Sequence, residues 1–355
     1  MRVLVTGGAG FIGQHLARRL HAGGHDVLAL DSLLPQVHAD AGAARAAFPG
    51  PVVVGDVADP AAWAALPEGT VDAVVHLAAE TGTGQSMYEV ERYHRVNVEG
   101  TRLAARWARE HGAALVSLSS RAVYGEGGYT CPEHGSTFGP RCCRHGQPVA
   151  STEDDPHRPV SVYGETKSLA EQAAADEGEG VVPLTVIRPQ NVVGPGQALH
   201  NPYTGVLAAF LAMLREGRPL TVYGDGHQTR DVVHVEDLVA LVAWALDRPP
   251  APGEARVVNC GSGVRTTLVG LAEAAAAGAP VPSPGVTHLD VHRAGDIEHA
   301  CADLTRLRSL GAPPPRWSAA DAVADFVRRS WQQPGADAAA WDDALDELAR
   351  RGLTS

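Results

Sequence analysis

No stretch of this sequence approaches the roughly twenty consecutive uncharged apolar residues that a bilayer-spanning helix needs, so no membrane partner is expected. Room for a secretory leader is missing too. The first residues already read as a buried strand and its turn, which places the protein in the cytoplasm. Basic charge is scarce: 29 Lys and Arg stand against 41 Asp and Glu, a formal net charge of -12. A nucleic-acid surface needs clustered cations, so that partner is excluded, whereas an anionic small molecule held by a few placed arginines is not. Cysteines number only 5 in 355 residues, and in a reducing compartment they are not expected to pair as disulfides. The apolar fraction of 45% fits a globular chain. Its length suggests one large domain with a smaller companion.

The most informative stretch runs from Met1 to Asp31. An apolar run, Val3-Leu4-Val5, breaks at Thr6-Gly7-Gly8-Ala9-Gly10-Phe11-Ile12-Gly13, helical spacing follows through Leu16 and Leu20, and a second apolar run, Val27 to Leu30, stops at an acid. A buried strand thus feeds a glycine turn and the turn opens a helix. Gly7 permits the tight turn, Gly10 lets the backbone approach a pyrophosphate, and Gly13 lets the helix pack on the sheet, while the helix N-terminus supplies N–H donors. This pattern predicts a dinucleotide site. Asp31 ends the second strand where a carboxylate accepts from the adenosine ribose hydroxyls and repels a 2'-phosphate, which favours NAD over NADP.

Further apolar runs follow at 51–57, ending in Asp56-Val57, at 71–77, ending in His76-Leu77-Ala78-Ala79, and at 113–118, entering Ser119-Ser120-Arg121-Ala122. Helical spacing separates them, notably from about Tyr88 to Glu110 with Asn97 inside. Alternating strands and helices predict an α/β fold, a Rossmann-type doubly wound parallel sheet. From Asn191 onward the spacing is less regular and proline richer. We therefore expect a cofactor domain over 1–190, a smaller C-terminal α/β substrate domain over 191–330, and a helical tail over 331–355.

Residues 126–160 interrupt the pattern. Cys131-Pro132-Glu133-His134-Gly135 is followed by Cys142-Cys143-Arg144-His145-Gly146, so the chain twice writes Cys, two residues, His, Gly. Two such turns offer a tetrahedral set of Cys131, His134, Cys142 and His145 to a structural zinc ion, with Cys143 able to replace Cys142. The other reading is an exposed loop that binds nothing.

Downstream, Tyr163 and Lys167 stand four apart at the start of a helical run, on one face and one turn from each other. A tyrosine with a pKa of about 10 needs a drop of about three units, roughly 4 kcal/mol, to act as a base near neutrality. A neighbouring ammonium and a positive nicotinamide ring favour the phenolate. Ser120, at a strand's carboxyl end, is placed to donate to the same substrate oxygen.

Together these motifs resemble the extended short-chain dehydrogenase/reductases of the nucleotide-sugar epimerase/dehydratase branch. The wording of 76–86, 119–127 and 201–205 is most similar to dTDP-L-rhamnose 4-epimerase-like enzymes. The resemblance implies Ser120, Tyr163 and Lys167 as catalytic residues. It implies NAD contacts from Gly7, Gly10, Phe11, Ile12, Gly13, Asp31, Asp56, Val57, Leu77, Ala78, Ala79, Asn97, Ser119, Tyr163, Lys167, Pro189 and Val192. For a nucleotide-diphosphate sugar it implies Thr81, Ser120, Asn191, Asn201, Val222 and Tyr223, with Arg230 and Arg293 neutralising the phosphates. It also implies a homodimer built on paired helices. Relatives of this wording carry Cys-x-x-Cys in the second half of the insertion, where this chain has Cys142-x-x-His145.

Reaction type follows from what surrounds the shared Ser, Tyr and Lys. Sugar 4,6-dehydratases carry an Asp-Glu pair just after the Ser position, where this chain has Arg121 and Ala122. The cysteine of 3,5-epimerising relatives is also missing there. What remains suits a 4-epimerase, with transient hydride transfer to tightly bound NAD through a 4-keto sugar. An NAD-dependent dehydrogenase or 4-ketoreductase would keep the same motifs. A non-catalytic NAD-binding regulator would need neither Tyr163 nor Lys167.

Overall fold

A computed structural model describes residues 1–201, 205–291 and 295–353. Its centre is a seven-stranded sheet whose strands, in chain order, are β1 (Arg2–Thr6), β2 (Asp26–Asp31), β3 (Val52–Val54), β4 (Ala73–His76), β5 (Ala114–Leu118), β6 (Leu184–Pro189) and β7 (Ala255–Cys260). Their order across the sheet is β7-β6-β5-β4-β1-β2-β3, every pair parallel. The order reverses direction between β1 and β4, and that switch opens a crevice at the strands' carboxyl ends. The expected Rossmann-type architecture is present.

Side chains alternate across the strands, which explains how one apolar run feeds two cores. Val3 and Val5 pack on one face with Leu16 and Leu20 of helix α1 (Phe11–Ala22). Leu4 faces the other side, with Ala104 and Ala108 of α2 (Gly100–His111) and Ala174 of α3 (Val162–Gly178). Ser161 caps α3 by accepting from the Gly164 amide. That cap fixes the first turn, which carries Tyr163.

Beyond β6, helices α4 (Val206–Glu216), α5 (Val235–Asp247), α6 (Leu268–Gly278), α7 (Ala319–Ser330) and α8 (Ala338–Arg350) follow. A separate core gathers Phe210, Met213, Leu271, Phe326 and Trp341 from α4, α6, α7 and α8. The chain does not leave the sheet for good at residue 190, however. Leu238 and Leu241 of α5 pack into the same core as α1, and β7 pairs with β6. Residues 235–260 return because α5, apolar on nearly every face, is buried against α1 and the sheet, and β7 then adds the edge strand beside β6.

The helical run expected from Tyr88 to Glu110 is present as one continuous segment over 90–111, but it is not uniform. A helix at Val90–Tyr93 passes into a wide π-helical turn, His94–Glu99, before α2 begins. The insertion at 126–160 forms a three-stranded antiparallel sheet of Gly128–Cys131, Gly135–Phe138 and Gln147–Pro148. No helix among the described residues is long and apolar enough to cross a membrane.

Candidate active site

The glycine turn adopts the geometry its sequence demands. Gly7 has φ +66, and a Cβ there would stand 2.9 Å from the Ala78 amide nitrogen. A Cβ on Gly13 would meet the carbonyl oxygens of Gly7 and Gly8 at 2.5 Å, so α1 lies directly on the turn. Gly10 takes the N-cap position with no side-chain cap. The first-turn N–H groups of α1 are thereby left for a ligand, where the helix dipole favours an anion.

That turn forms one wall of a cleft of about 640 Å³. All the expected cofactor residues line it except Asn97, and all the expected substrate residues except Arg293. Arg293 lies outside the described residues. Asn97 is 1% exposed and stands just behind the wall. Its carboxamide accepts from the Glu80 amide at 2.8 Å and donates to the Glu80 carbonyl and to Thr166 Oγ1. The π-helical turn carries it inward, where it braces the wall at Glu80.

Asp31 lies at the end of β2, 6% exposed, and accepts from the amides of Ala9 at 3.0 Å and Leu33 at 2.8 Å. His38, which the sequence did not single out, comes within 3.4 Å of the same carboxylate and also lines the cleft. Asp56 is paired with Arg95 at 2.7 Å. Arg95 comes from a distant segment and His38 from the loop after β2, and neither is marked by the spacing of the motif.

At the other end of the cleft, Ser120 and Tyr163 share the wall, near enough for the serine hydroxyl to act on the phenol. Burial pushes the Tyr163 phenol above its usual range, while the Ser120 hydroxyl and the charge of Arg121 pull it back. The Tyr163 ring is held edge-on by Tyr93, at 6.5 Å between centroids, and its amide donates to Ser86 Oγ at 3.0 Å. Lys167 is the only lysine in the chain. Its ammonium is 4% exposed and donates to the Leu118 carbonyl at 2.5 Å. Burial brings Lys167 down to about 8, opposed by Glu171. One-turn spacing makes Lys167 the expected cation for the phenolate. Arg121, however, is the cation whose charge acts on it.

Arg121 lines the cleft immediately after Ser120 and anchors one guanidinium nitrogen on the Gly125 carbonyl. Burial first, then the like charge of Arg230, lower it to about 10. Arg230 is paired with Asp296 at 2.6 Å and also lines the cleft. Below the floor, His76 is pushed down to about 3, by burial and then by Lys167. It stays neutral and bridges Thr6 and Thr101 at 2.8 and 3.1 Å.

A family model for the NAD dependent epimerase/dehydratase family matches residues 3–261. The chain belongs to this family. It is 38% identical over 337 residues to a dTDP-L-rhamnose 4-epimerase of Burkholderia thailandensis, spanning 89% of this chain and 91% of that one. A UDP-glucose 4-epimerase of Mycolicibacterium smegmatis is 33% identical over 331 residues, covering 92% and 97%. Among solved structures, a Thermus thermophilus UDP-glucose 4-epimerase in complex with NAD superposes with a TM-score of 0.74 at 27% identity. It covers 94% of this chain and 100% of that one.

Outside the cleft, the insertion gathers Cys131, His134, Cys142 and Cys143, whose ligand atoms all lie within 4.8 Å of one another. Cys131 Sγ stands 3.4 Å from His134 Nδ1 and 3.5 Å from Cys143 Sγ, and Cys142 and Cys143 are 3.9 Å apart. The expected set needs one correction. His145 points outward to Glu133 at 2.5 Å, because the turn closed by the Gly146 amide on the Cys143 carbonyl brings Cys143 inward in its place.

Proposed function

We propose that this protein is an NAD-dependent nucleotide-sugar 4-epimerase, an isomerase acting on a dTDP- or UDP-sugar. The observation that carries this reading is the Ser120–Tyr163 pair on the wall of a single cleft that also holds the glycine turn and Arg230. The cradle fits NAD, since the close approaches at Gly7 and Gly13 and the uncapped start of α1 leave room and donors for a pyrophosphate. The named relatives, both nucleotide-sugar 4-epimerases, support the substrate class.

NAD, when bound, supplies a reversible two-electron acceptor for carbon 4 of the sugar. Tyr163 takes the proton of the 4-hydroxyl and later returns it, with Ser120 donating to the same oxygen. Arg121 favours the phenolate in the open cleft, and Lys167 holds the nicotinamide ribose. Arg230 grips the diphosphate with a planar fork, while Asn191, Asn201, Val222 and Tyr223 hold the nucleotide. The sugar itself turns to present either face. No acid stands at Arg121 or Ala122 to eliminate water, so a dehydratase outcome is disfavoured.

The test offers dTDP-, UDP- and GDP-sugars separately and follows carbon 4 by NMR. Inversion at carbon 4 with no net change in NADH absorbance is expected, and Tyr163→Phe should abolish it. Stoichiometric NADH consumption would instead identify a dehydrogenase or 4-ketoreductase. Unchanged behaviour of Tyr163→Phe would favour a regulator.

In this reading residues 1–190, with the returning 235–260, form the cofactor half, and 191–330 supply the nucleotide-sugar contacts. The 331–355 tail adds Trp341 to the cleft wall. The protein works in the cytoplasm as a homodimer, the pairing supported by the packing of α2 against α3 and the exposed Leu169. The insertion holds a structural zinc ion. Zinc at about 2.3 Å from sulfur and about 2.0 Å from nitrogen sets tetrahedral edges of about 3.8 Å between sulfurs and about 3.5 Å between sulfur and nitrogen. The separations of 3.5, 3.9 and 3.4 Å match them.

A further inference from the structure

The insertion is stitched to the segment, residues 296–300, that holds Arg230 in place. At its base the Glu126 carboxylate accepts from the amides of Glu298 at 2.9 Å and His299 at 3.3 Å. The buried Tyr129 hydroxyl fixes that carboxylate at 2.8 Å. Arg141, the residue before Cys142, pairs with Glu298 at 3.0 Å and bonds His299 at 3.2 Å. Residues 296–300 grip Arg230 from the other side. Asp296 pairs with its guanidinium at 2.6 Å, the Glu298 carbonyl accepts from it at 3.4 Å, and the Ala300 amide bonds the Thr229 carbonyl at 3.0 Å.

Arg141 therefore lies between the thiol cluster and Arg230. Its backbone is continuous with Cys142 and Cys143, and its head fixes the Glu298 side chain. A strand hairpin of four-residue strands cannot hold such a tip rigidly unaided, whereas a closed Cys3His site supplies folding energy locally.

We propose that the metal held by Cys131, His134, Cys142 and Cys143 positions Arg230 for the substrate's diphosphate, through Arg141 and Glu298. This rests on the zinc reading above, and it makes the insertion part of substrate recognition. Arg141 and the four ligands are positioning residues that touch neither substrate nor cofactor.

The test measures zinc per chain and then the affinities for UDP and dTDP as diphosphate probes, beside NAD retention, before and after chelation. About one zinc per chain is expected, and its removal should weaken UDP and dTDP by about tenfold while NAD stays bound, with affinity restored on adding zinc back. Arg141→Ala should weaken both probes by about fivefold with zinc retained, since it removes one charge-assisted contact of the chain. His145→Ala should change neither zinc content nor probe affinity. Zinc present but probe affinity unmoved by its removal would overturn this inference and leave the metal site standing. A protein purified from zinc-supplemented cells without bound metal would overturn both. Parallel loss of NAD and probe binding would show general unfolding and overturn the positioning role. Probe binding requires no turnover, so these outcomes are independent of whether the enzyme epimerises.

Discussion

The ammonium of Lys167 donates to the backbone carbonyl of Leu118 at 2.5 Å, although Tyr163 lies one turn away on the same helix. The bond tethers α3 to the end of β5, the strand that leads into Ser120. It also leaves Arg121 as the cation acting on the phenol. A chain with 29 Lys and Arg in total has kept this one position as lysine and none other. The compact, rotatable ammonium suits a site where a planar fork does not fit.

Because it is the only lysine, its titration is directly observable. Protein labelled with isotope in lysine alone should give one side-chain signal, with a midpoint near the value of about 8 set by burial. The lowered value means the folded state holds this proton less tightly than the unfolded chain. Stability relative to Lys167→Met should therefore rise between about pH 8 and about pH 10.4, where the unfolded chain binds more protons. A midpoint near the ordinary lysine value would contradict the burial of this ammonium.

Arg188, at the end of β6, ties α3 to the sheet. Its guanidinium meets Glu171 at 2.7 and 2.9 Å, Tyr124 at 2.9 Å, the Glu153 carbonyl at 3.0 Å and His157 at 2.7 Å. Arg188→Ala leaves the Glu171 carboxylate mostly buried without its partner, and urea denaturation should show a loss of about 3–5 kcal/mol. A loss under about 1 kcal/mol, the range of an exposed pair, would contradict this burial.

Gly13→Ala places a methyl group 2.5 Å from two carbonyl oxygens and must lift α1 off the turn. Overpacking of this kind costs about 1–3 kcal/mol, and NAD retained after gel filtration should fall by at least about tenfold. Gly42→Ala, whose Cβ would meet only the Asp40 side chain at 3.3 Å, should retain NAD as the wild type does.

Asp31→Ala removes the acceptor of the Ala9 and Leu33 amides as well as the charge at the ribose position. Binding of NAD should weaken by about tenfold to a hundredfold, in line with about 1–3 kcal/mol for amides left without an acceptor. NADP should weaken less, because the repulsion of its 2'-phosphate is lifted. Competition titration of the two dinucleotides checks the difference, and equal losses would refute the discriminating role.

The sequence by itself determined what local spacing dictates. The glycine turn, the acid at the end of β2 and the Tyr163–Lys167 face follow from the fixed geometry of one turn and one helical repeat, and all were legible without coordinates. Only the tertiary structure decided contacts between distant segments. Asn97 was carried behind the wall by a π-helical turn that periodicity does not signal. Cys143 displaced His145 because a turn in the insertion chose which side chain faces inward. Glu126 meets Glu298, 172 positions away, and so joins the insertion to Arg230. Hydrogen bonds between segments that far apart depend on how the whole sheet and its helices pack, which no spacing along the chain encodes.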